Sequence, residues 1–382
     1  MWNLLRGARV LDLTRLLPGG YATMLLADLG AEVIKIEELG RGDWMREPSP
    51  VFGGSNALFA QLNRNKKSVA LNLKDGEGRE VLLRLAQKSD ALLEGFRPGV
   101  AKRLGIDYEA VRARNAHIVY CSLSGYGQTG PLRKVPGHDI NYVAEAGLLG
   151  IDTGEAPRCL PLPFADMAGG LFTALAMVAA IKGETGAYID LAMSDTIVSL
   201  LVPHFAQMFQ TGKTPTPDAA YLLGGHPSYT VYCAADGKYL TVGALEPKFW
   251  RSLCETLGRP QYIDRQYDPA LRETMLADFR ALFATRERDE WVRRLMAADV
   301  PVAAVKTLAE VERSEQSEAR GLFREVAREL KEVAFPAEVH GAHEAPDRPA
   351  PQLGEHTREV LARAGYSEAE ISGLRERGVV SG

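Results

Sequence analysis

Between residues 8 and 124, short apolar runs of strand length alternate with stretches whose apolar positions recur at helical spacing. ARVLDLT (8–14), AEVIKIE (31–37), SVALNL (68–73), DALLEGF (90–96) and AHIVYCSL (116–123) read as strands. Helices are predicted around Tyr21 to Leu29, from Gly76 to Gln87 and near Val100 to Leu104. Strands buried on both faces carry near-continuous apolar runs, and intervening helices supply the crossovers. The order therefore predicts an α/β layer, Rossmann-like, with a largely parallel sheet covered on both sides. Gly30 and Gly105 stand where helix C-caps are expected.

Beyond Gly150 the pattern predicts a helix from Asp166 to Ile181, a strand AYIDLAMS (187–194) and a long apolar helix from Asp195 to Phe209. TGKTPTPDA (211–219) then has the polar, proline-bearing character of a connector. SYTVYCAADGKYLTVGAL (228–245) reads as two alternating strands around Asp236-Gly237, a strong hairpin signal. Helices near Lys248 to Leu257 and Leu271 to Phe283, with a strand PVAAVKT (301–307), complete a smaller α+β domain. Residues 336–355, rich in Pro, His and Gly, form a second connector, and Glu355 to Gly365 and Glu368 to Arg377 read as closing helices. The expected division is a large domain over 1–195, a linker over 196–225, a small domain over 226–315, a linker over 316–345 and a return to the large domain over 346–382.

A chain of 382 residues exceeds what one core usually organises, in keeping with two domains. Hydrophobic residues at 46% and charged residues at 25% are ordinary for a globular protein. A net charge of −4 gives no nucleic-acid footprint. MWNLLRGARVLDL lacks the layout of a secretion leader, and Gly170 to Ile181 is too short to cross a bilayer. Cys121, Cys159, Cys233 and Cys254 are widely spaced with no C-x-x-C pair, which predicts reduced, mostly buried thiols in a cytoplasmic protein.

Candidate chemistry begins in SLSGYGQTGPLRKVPGHDINY (122–142), where Gly125, Gly127 and Gly130 form a G-x-G-x-x-G spacing. A dinucleotide fingerprint must feed directly into a helix. Pro131 and Pro136 follow instead, so the glycines read as a loop. His138 opens an apolar-periodic segment and is placed at a helix N-terminus, which disfavours imidazolium and suits a base. A capping-region histidine beside a first-turn acid, Asp139, is the plain alternative.

Asp166 likewise precedes an apolar helix and reads first as an N-cap. Gly169 and Gly170 inside that helix suggest close approach of a ligand or another backbone. Glu246 stands just before a helix opened by Pro247, where an acid complements the dipole. His340 and His343, an H-x-x-H in a connector, are weak as metal ligands, and no G-x-S-x-G elbow is present. Arg64, Lys66, Lys67 and Lys74 around one strand, with Arg97, Lys102 and Arg103 near the next, suggest a multiply phosphorylated ligand at adjacent strand ends.

LPGGYATMLLADLGAEVIKIE (17–37), NRNKKSVALNLKD (63–75), EGFRPGVAKRLGIDYE (94–109), IVYCSLSGYGQTGP (118–131) and PQLGEHTREVL (351–361) together resemble the class III coenzyme A transferase family. That family contains formyl-CoA transferases and alpha-methylacyl-CoA racemases. The resemblance implies a Rossmann-like large domain made from both chain ends, a smaller domain between, and an interlocked homodimer. It implies an acyl-CoA substrate, coenzyme A being part of the substrate, with no prosthetic group and no metal. CoA contacts carry over to Leu71, Asn72, Leu73 and Lys74, to Gly95, Phe96 and Arg97, to Arg103, and to Gly137, Asn141 and Tyr142. Glu38 stands where several relatives carry arginine, which puts a contact from that position in doubt.

GHDINY and GALEPKFW resemble the racemase members. They imply that His138 and Asp166 move protons at the carbon beside the thioester while Glu246 orients His138. Asp139 and helix N-terminal amides would help hold the enolate oxygen. Inversion there needs two proton-moving groups on opposite faces, which this pair would provide. The alternative within the family is a CoA-transferase in which Asp166 attacks the thioester and forms a mixed anhydride. A CoA-binding protein without catalysis is a further alternative.

Overall fold

The computed structural model describes residues 1–48, 56–151, 156–183, 185–216, 221–327, 330–342 and 347–382. His343 and parts of both expected connectors lie outside the described residues. The chain divides into two compact units. The first comprises Met1–Leu148, Cys159–Leu201 and Gly321–Gly382; the second comprises Leu149–Arg158 and Val202–Arg320.

The first unit is built on a seven-stranded sheet. Its strands are β1 (Arg9–Leu13), β2 (Glu32–Glu37), β3 (Lys67–Leu71), β4 (Ala91–Glu94), β5 (Val119–Ser124), β6 (Ala187–Ala192) and, from the far end of the chain, Val380–Ser381. The C-terminal strand sits on the edge beside β3, followed by β2, β1, β4, β5 and β6. Every pairing from β3 to β6 is parallel; only the C-terminal edge strand runs antiparallel. This is the strand order of a doubly wound sheet, which opens a crevice at the carboxyl ends where the order reverses beside β1. The central strands are buried along nearly all their length, which is why they read as near-continuous apolar runs.

Helix α1 (Leu17–Asp28) connects β1 to β2, and Gly30, at φ 102°, turns the chain back after it. Its entry is strained. Leu16 has φ 65°, a left-handed value that costs a residue with a side chain about 1–3 kcal/mol. A buried ionic cluster holds this loop: Lys35 Nζ donates to Thr14 O at 2.9 Å and pairs with Asp43 at 2.9 Å, while the Thr14 N–H donates to Asp12 Oδ1 at 2.9 Å.

Helix α2 (Asp139–Glu145) follows β5, and α3 (Phe164–Ile181) precedes β6. On α3, Ala165, Ala168, Gly169, Thr173 and Met177 fall on one buried stripe at helical spacing, whereas Leu171 and Leu175 are exposed. A Cβ on Gly170 would stand 2.6 Å from Pro18 O, and one on Gly169 would stand 2.7 Å from Met193 Cγ. The glycines thus admit the N-terminus of α1 and a side chain. The helix begins two residues before the expected start, and its 18 residues are long and apolar enough to meet the length and composition of a membrane span, correcting the shorter stretch read from sequence.

Two further departures have local causes. The single helix expected from Asp195 to Phe209 is two, Met193–Leu200 and Val202–Thr211; Pro203 cannot donate at the break. The expected linker over 316–345 contains an antiparallel hairpin, Phe323–Ala327 with Leu330–Val333. In the second unit, β7 (Tyr229–Cys233), β8 (Tyr239–Gly243) and β9 (Val302–Ala304) form an antiparallel sheet, with Gly237 at φ 73° in the hairpin turn. Its core gathers Tyr232, Trp250, Phe279, Phe283 and Trp291. All four cysteines are free, but only Cys121 and Cys254 are buried, so the expectation of mostly buried thiols holds for half of them.

Candidate active site

His138 is the N-cap of α2, with φ −128° and ψ 176°. Its backbone N–H donates to Asn141 Oδ1 at 3.0 Å, so Asn141, expected to touch CoA, caps this turn. The imidazole belongs to an exposed residue. Tyr142, also expected at the ligand, is buried and donates its hydroxyl to Gly137 O at 2.6 Å. Its ring explains two glycines. A Cβ on Gly125 would lie 2.3 Å from Tyr142 Cε1, and one on Gly137 would lie 2.7 Å from the same atom. Gly125, the first member of the glycine triplet, therefore makes room for the tyrosine that anchors the histidine turn.

Asp139 joins this turn to the next helix. Its Oδ1 accepts from the backbone N–H groups of Ala165 at 2.7 Å and Asp166 at 3.1 Å. These are first-turn donors of α3, which lack intrahelical partners. Asp166 is thus not the N-cap expected from the sequence: Pro163 holds that position, and the capping carboxylate comes from Asp139. Asp139, expected with helix N-terminal amides to help hold an enolate oxygen, thus has its Oδ1 engaged by two amides of α3.

Asp166 is partly buried in the first turn of α3. Burial, and then the neighbouring Asp139 carboxylate, raise its carboxyl from 3.8 to about 7. Among the described residues no lysine or arginine pairs with it. The hydroxyl of Tyr142, pushed up to about 12 by burial and then by Asp166, feels Asp139 as well and, with opposite sign, Arg97. The structure therefore brings His138, Asp139, Tyr142 and Asp166 into one neighbourhood with Arg97 within electrostatic reach. Glu246 belongs to the second unit, where it is the exposed N-cap of the helix Pro247–Thr256, with φ −72° and Pro247 at the first helical position.

The cations separate into two kinds. Arg64 is buried against Asp28 at 2.5 Å, Lys66 against Asp12 at 3.2 Å, and Lys67 pairs with Glu32 at 3.0 Å. These three are framework, which corrects their expected part in gripping phosphate. Lys74, Arg97, Lys102 and Arg103 remain exposed.

A cleft of about 460 Å³ of empty volume, open to solvent, lies at the carboxyl ends of β1 to β4. Asn72, Leu73, Lys74 and Phe96 line it, joined by the buried Leu71 and by Glu38. Arg15 and Leu104 also line it and were not singled out from the sequence. Arg15 could have been found from its place in the loop after the first strand, where such sheets receive ligands. Gly95 and Arg103 are exposed near this edge of the sheet but are not among the lining residues.

A doubly wound sheet with a solvent-open cleft at its switch point and a carboxyl poised near neutrality in a helix's first turn defines an enzyme-like α/β protein. The family model for CoA-transferase family III matches residues 5–357, and the chain belongs to that family. It is 33% identical over 392 residues to the alpha-methylacyl-CoA racemase of Homo sapiens, covering 98% of this chain and 97% of that protein. It is 31% identical over 395 residues to the succinyl-CoA:glutarate CoA-transferase of Homo sapiens, covering 98% and 90%. Among solved structures, a CAIB/BAIF family protein from Brucella suis superposes with a TM-score of 0.82 at 27% identity, covering 94% of this chain and 99% of that one. Members of the family so named are enzymes acting on acyl-CoA, and they include both racemases and CoA-transferases.

Proposed function

We propose that this protein is a racemase that inverts the carbon beside the thioester of 2-methylacyl-CoA substrates. The supporting observation is the Asp166 carboxyl, which burial and then Asp139 raise to about 7, so that it can hold or release a proton near neutral pH. His138 removes the α-proton of one epimer, leaving an enolate thioester. Asp166 returns a proton to the opposite face, and the roles exchange for the other epimer. The CoA portion lies in the cleft beside Asn72 to Lys74 and Phe96, with Arg97 and Arg103 toward its phosphates.

The working assembly is an interlocked homodimer. The apolar residues Leu171, Leu175, Val198 and Leu200, exposed on α3 and the helix Met193–Leu200, are the kind of surface that a partner covers.

Deuterium should enter the α-carbon of a 2-methylacyl-CoA in heavy water, and His138→Ala should suppress that exchange by roughly a hundred- to ten-thousand-fold. Undiminished exchange in the variant would reduce His138 to a helix cap. A second reading, CoA transfer between carboxylic acids, draws on the same uncompensated Asp166, which could attack a thioester, and on relatives named as CoA-transferases. Hydroxylamine added during turnover separates the two, because only an acyl-enzyme or enzyme thioester at Asp166 yields a hydroxamate there.

A further inference from the structure

Four charged side chains line the cleft at the strand ends: Arg15, Glu37, Glu38 and Lys74. The two carboxylates do different things. Glu37 is buried and engaged within the fold, accepting from Arg46 Nε at 2.7 Å, Ser68 Oγ at 2.6 Å and the Asp43 N–H at 3.0 Å. Glu38, the first residue after β2, is 39% exposed and bridges Arg15 at 3.2 Å and Lys74 at 3.0 Å. Both cations that line the cleft are therefore already paired with one accessible carboxylate, which offsets half of their charge. A phosphate seeking either of them must compete with Glu38 or lie beside it.

In sheets of this order, the residue just past the carboxyl end of β2 meets the ribose of a nucleotide held at the switch point. An acid there accepts from ribose hydroxyls, whereas a base accommodates a phosphate on the ribose. We propose that Glu38 is a specificity-determining residue that sets the cleft toward the free ribose hydroxyls and against a ribose 3′-phosphate. 3′-Dephospho-CoA and its thioesters then bind this protein about as well as the 3′-phosphorylated forms. The inference rests on the acyl-CoA reading above and adds which form of the nucleotide the cleft takes.

The test is calorimetric titration of the full chain with CoA and with 3′-dephospho-CoA, for the native protein, Glu38→Gln and Glu38→Arg. Glutamine keeps the shape of the side chain at a partly exposed position and frees Arg15 and Lys74. The native protein should bind the two ligands within about threefold of one another. Each variant should shift the ratio toward CoA by on the order of tenfold, as expected for removing one close like charge near a protein surface. The shift should shrink in high salt. A role for Glu38 in folding alone would weaken both ligands together and leave the ratio where it was.

A native preference for CoA that neither substitution moves, or a shift toward the dephospho form, overturns the inference while leaving acyl-CoA binding intact. If the native protein binds neither ligand, the acyl-CoA reading fails and this inference fails with it.

Discussion

Buried carboxyl groups in the first unit are treated in two opposite ways. Around the β1–α1 loop, Asp12 is fully buried, yet Lys35 and Lys66 overcome the effect of burial and hold it down at about 2. The Lys66 ammonium donates to Asp12, Thr23 Oγ1 at 2.7 Å and Asn63 Oδ1 at 3.0 Å. Every charge there has its opposite, and the group fixes a strained loop. Asp166 has no cation and a carboxylate for a neighbour, so burial and that carboxylate carry it up to about 7. Compensated charge builds framework, and uncompensated charge leaves a proton free to move.

Glu94 sharpens the distinction. It too rises to about 7, mainly by burial, but Ser122 Oγ and the Phe96 N–H donate to it and it is almost wholly enclosed. Access, as well as a shifted proton affinity, sets Asp166 apart.

The largest effect should come from removing the uncompensated acid. Asp166→Asn should lower α-proton exchange by roughly a hundred- to ten-thousand-fold. It should not destabilise the fold. A carboxyl raised from 3.8 to about 7 costs nothing while protonated in both states, begins to cost as pH rises past about 4, and costs most above about 7. The asparagine variant should therefore unfold at equal or higher denaturant than the native protein at pH 8. A variant that loses activity only by unfolding would cancel the contrast between the two regions.

Lys66→Met should do the reverse, lowering stability by about 3–5 kcal/mol because Asp12 loses a buried partner. Chemical denaturation measures this directly. An unchanged midpoint would mean that Lys35, 3.9 Å from Asp12, suffices alone.

Gly125→Ala should come next, at about 1–3 kcal/mol, since its Cβ meets a ring with nowhere to go. Exchange should fall further than stability explains, because displacing Tyr142 disturbs the turn that carries His138. Normal exchange in a folded Gly125→Ala protein would detach that turn from the chemistry.

Legibility in the sequence followed the reach of each interaction. Largely apolar runs of strand length located β1 to β6, and the Asp236-Gly237 turn located the hairpin of the second unit, because burial and turn geometry act on adjacent residues. The two-residue edge strand Val380–Ser381 carries no period, and its pairing with β3 depends on residues some three hundred positions away. His138 and Glu246 were legible as helix openings. Position alone makes a cap of Asp166, because Asp139, which does the capping, lies 26 residues from Ala165 in the chain. The basic residues of NRNKKSVALNLK look alike in sequence; only partners from β1, α1 and the residue after β2 distinguish buried Lys66 and Arg64 from exposed Lys74.

Asp139→Asn probes the smallest effect and the most specific one. Asparagine retains an oxygen that can accept from the Ala165 and Asp166 amides, so the first turn of α3 keeps its cap while losing a negative charge. That charge is the second cause, after burial, of the raised Asp166 carboxyl. Its removal must lower the carboxyl from about 7 without restoring it to 3.8, because burial remains. If the productive enzyme carries one proton shared between His138 and Asp166, kcat/KM falls on the alkaline side as Asp166 loses that proton. The limb should therefore move to lower pH in Asp139→Asn, in the same direction for both epimers, since their kcat/KM ratio is fixed by the reaction's equilibrium. A limb that stays in place would show that the group titrating there is not Asp166, and the neighbouring carboxylates would then be framework like those around Asp12.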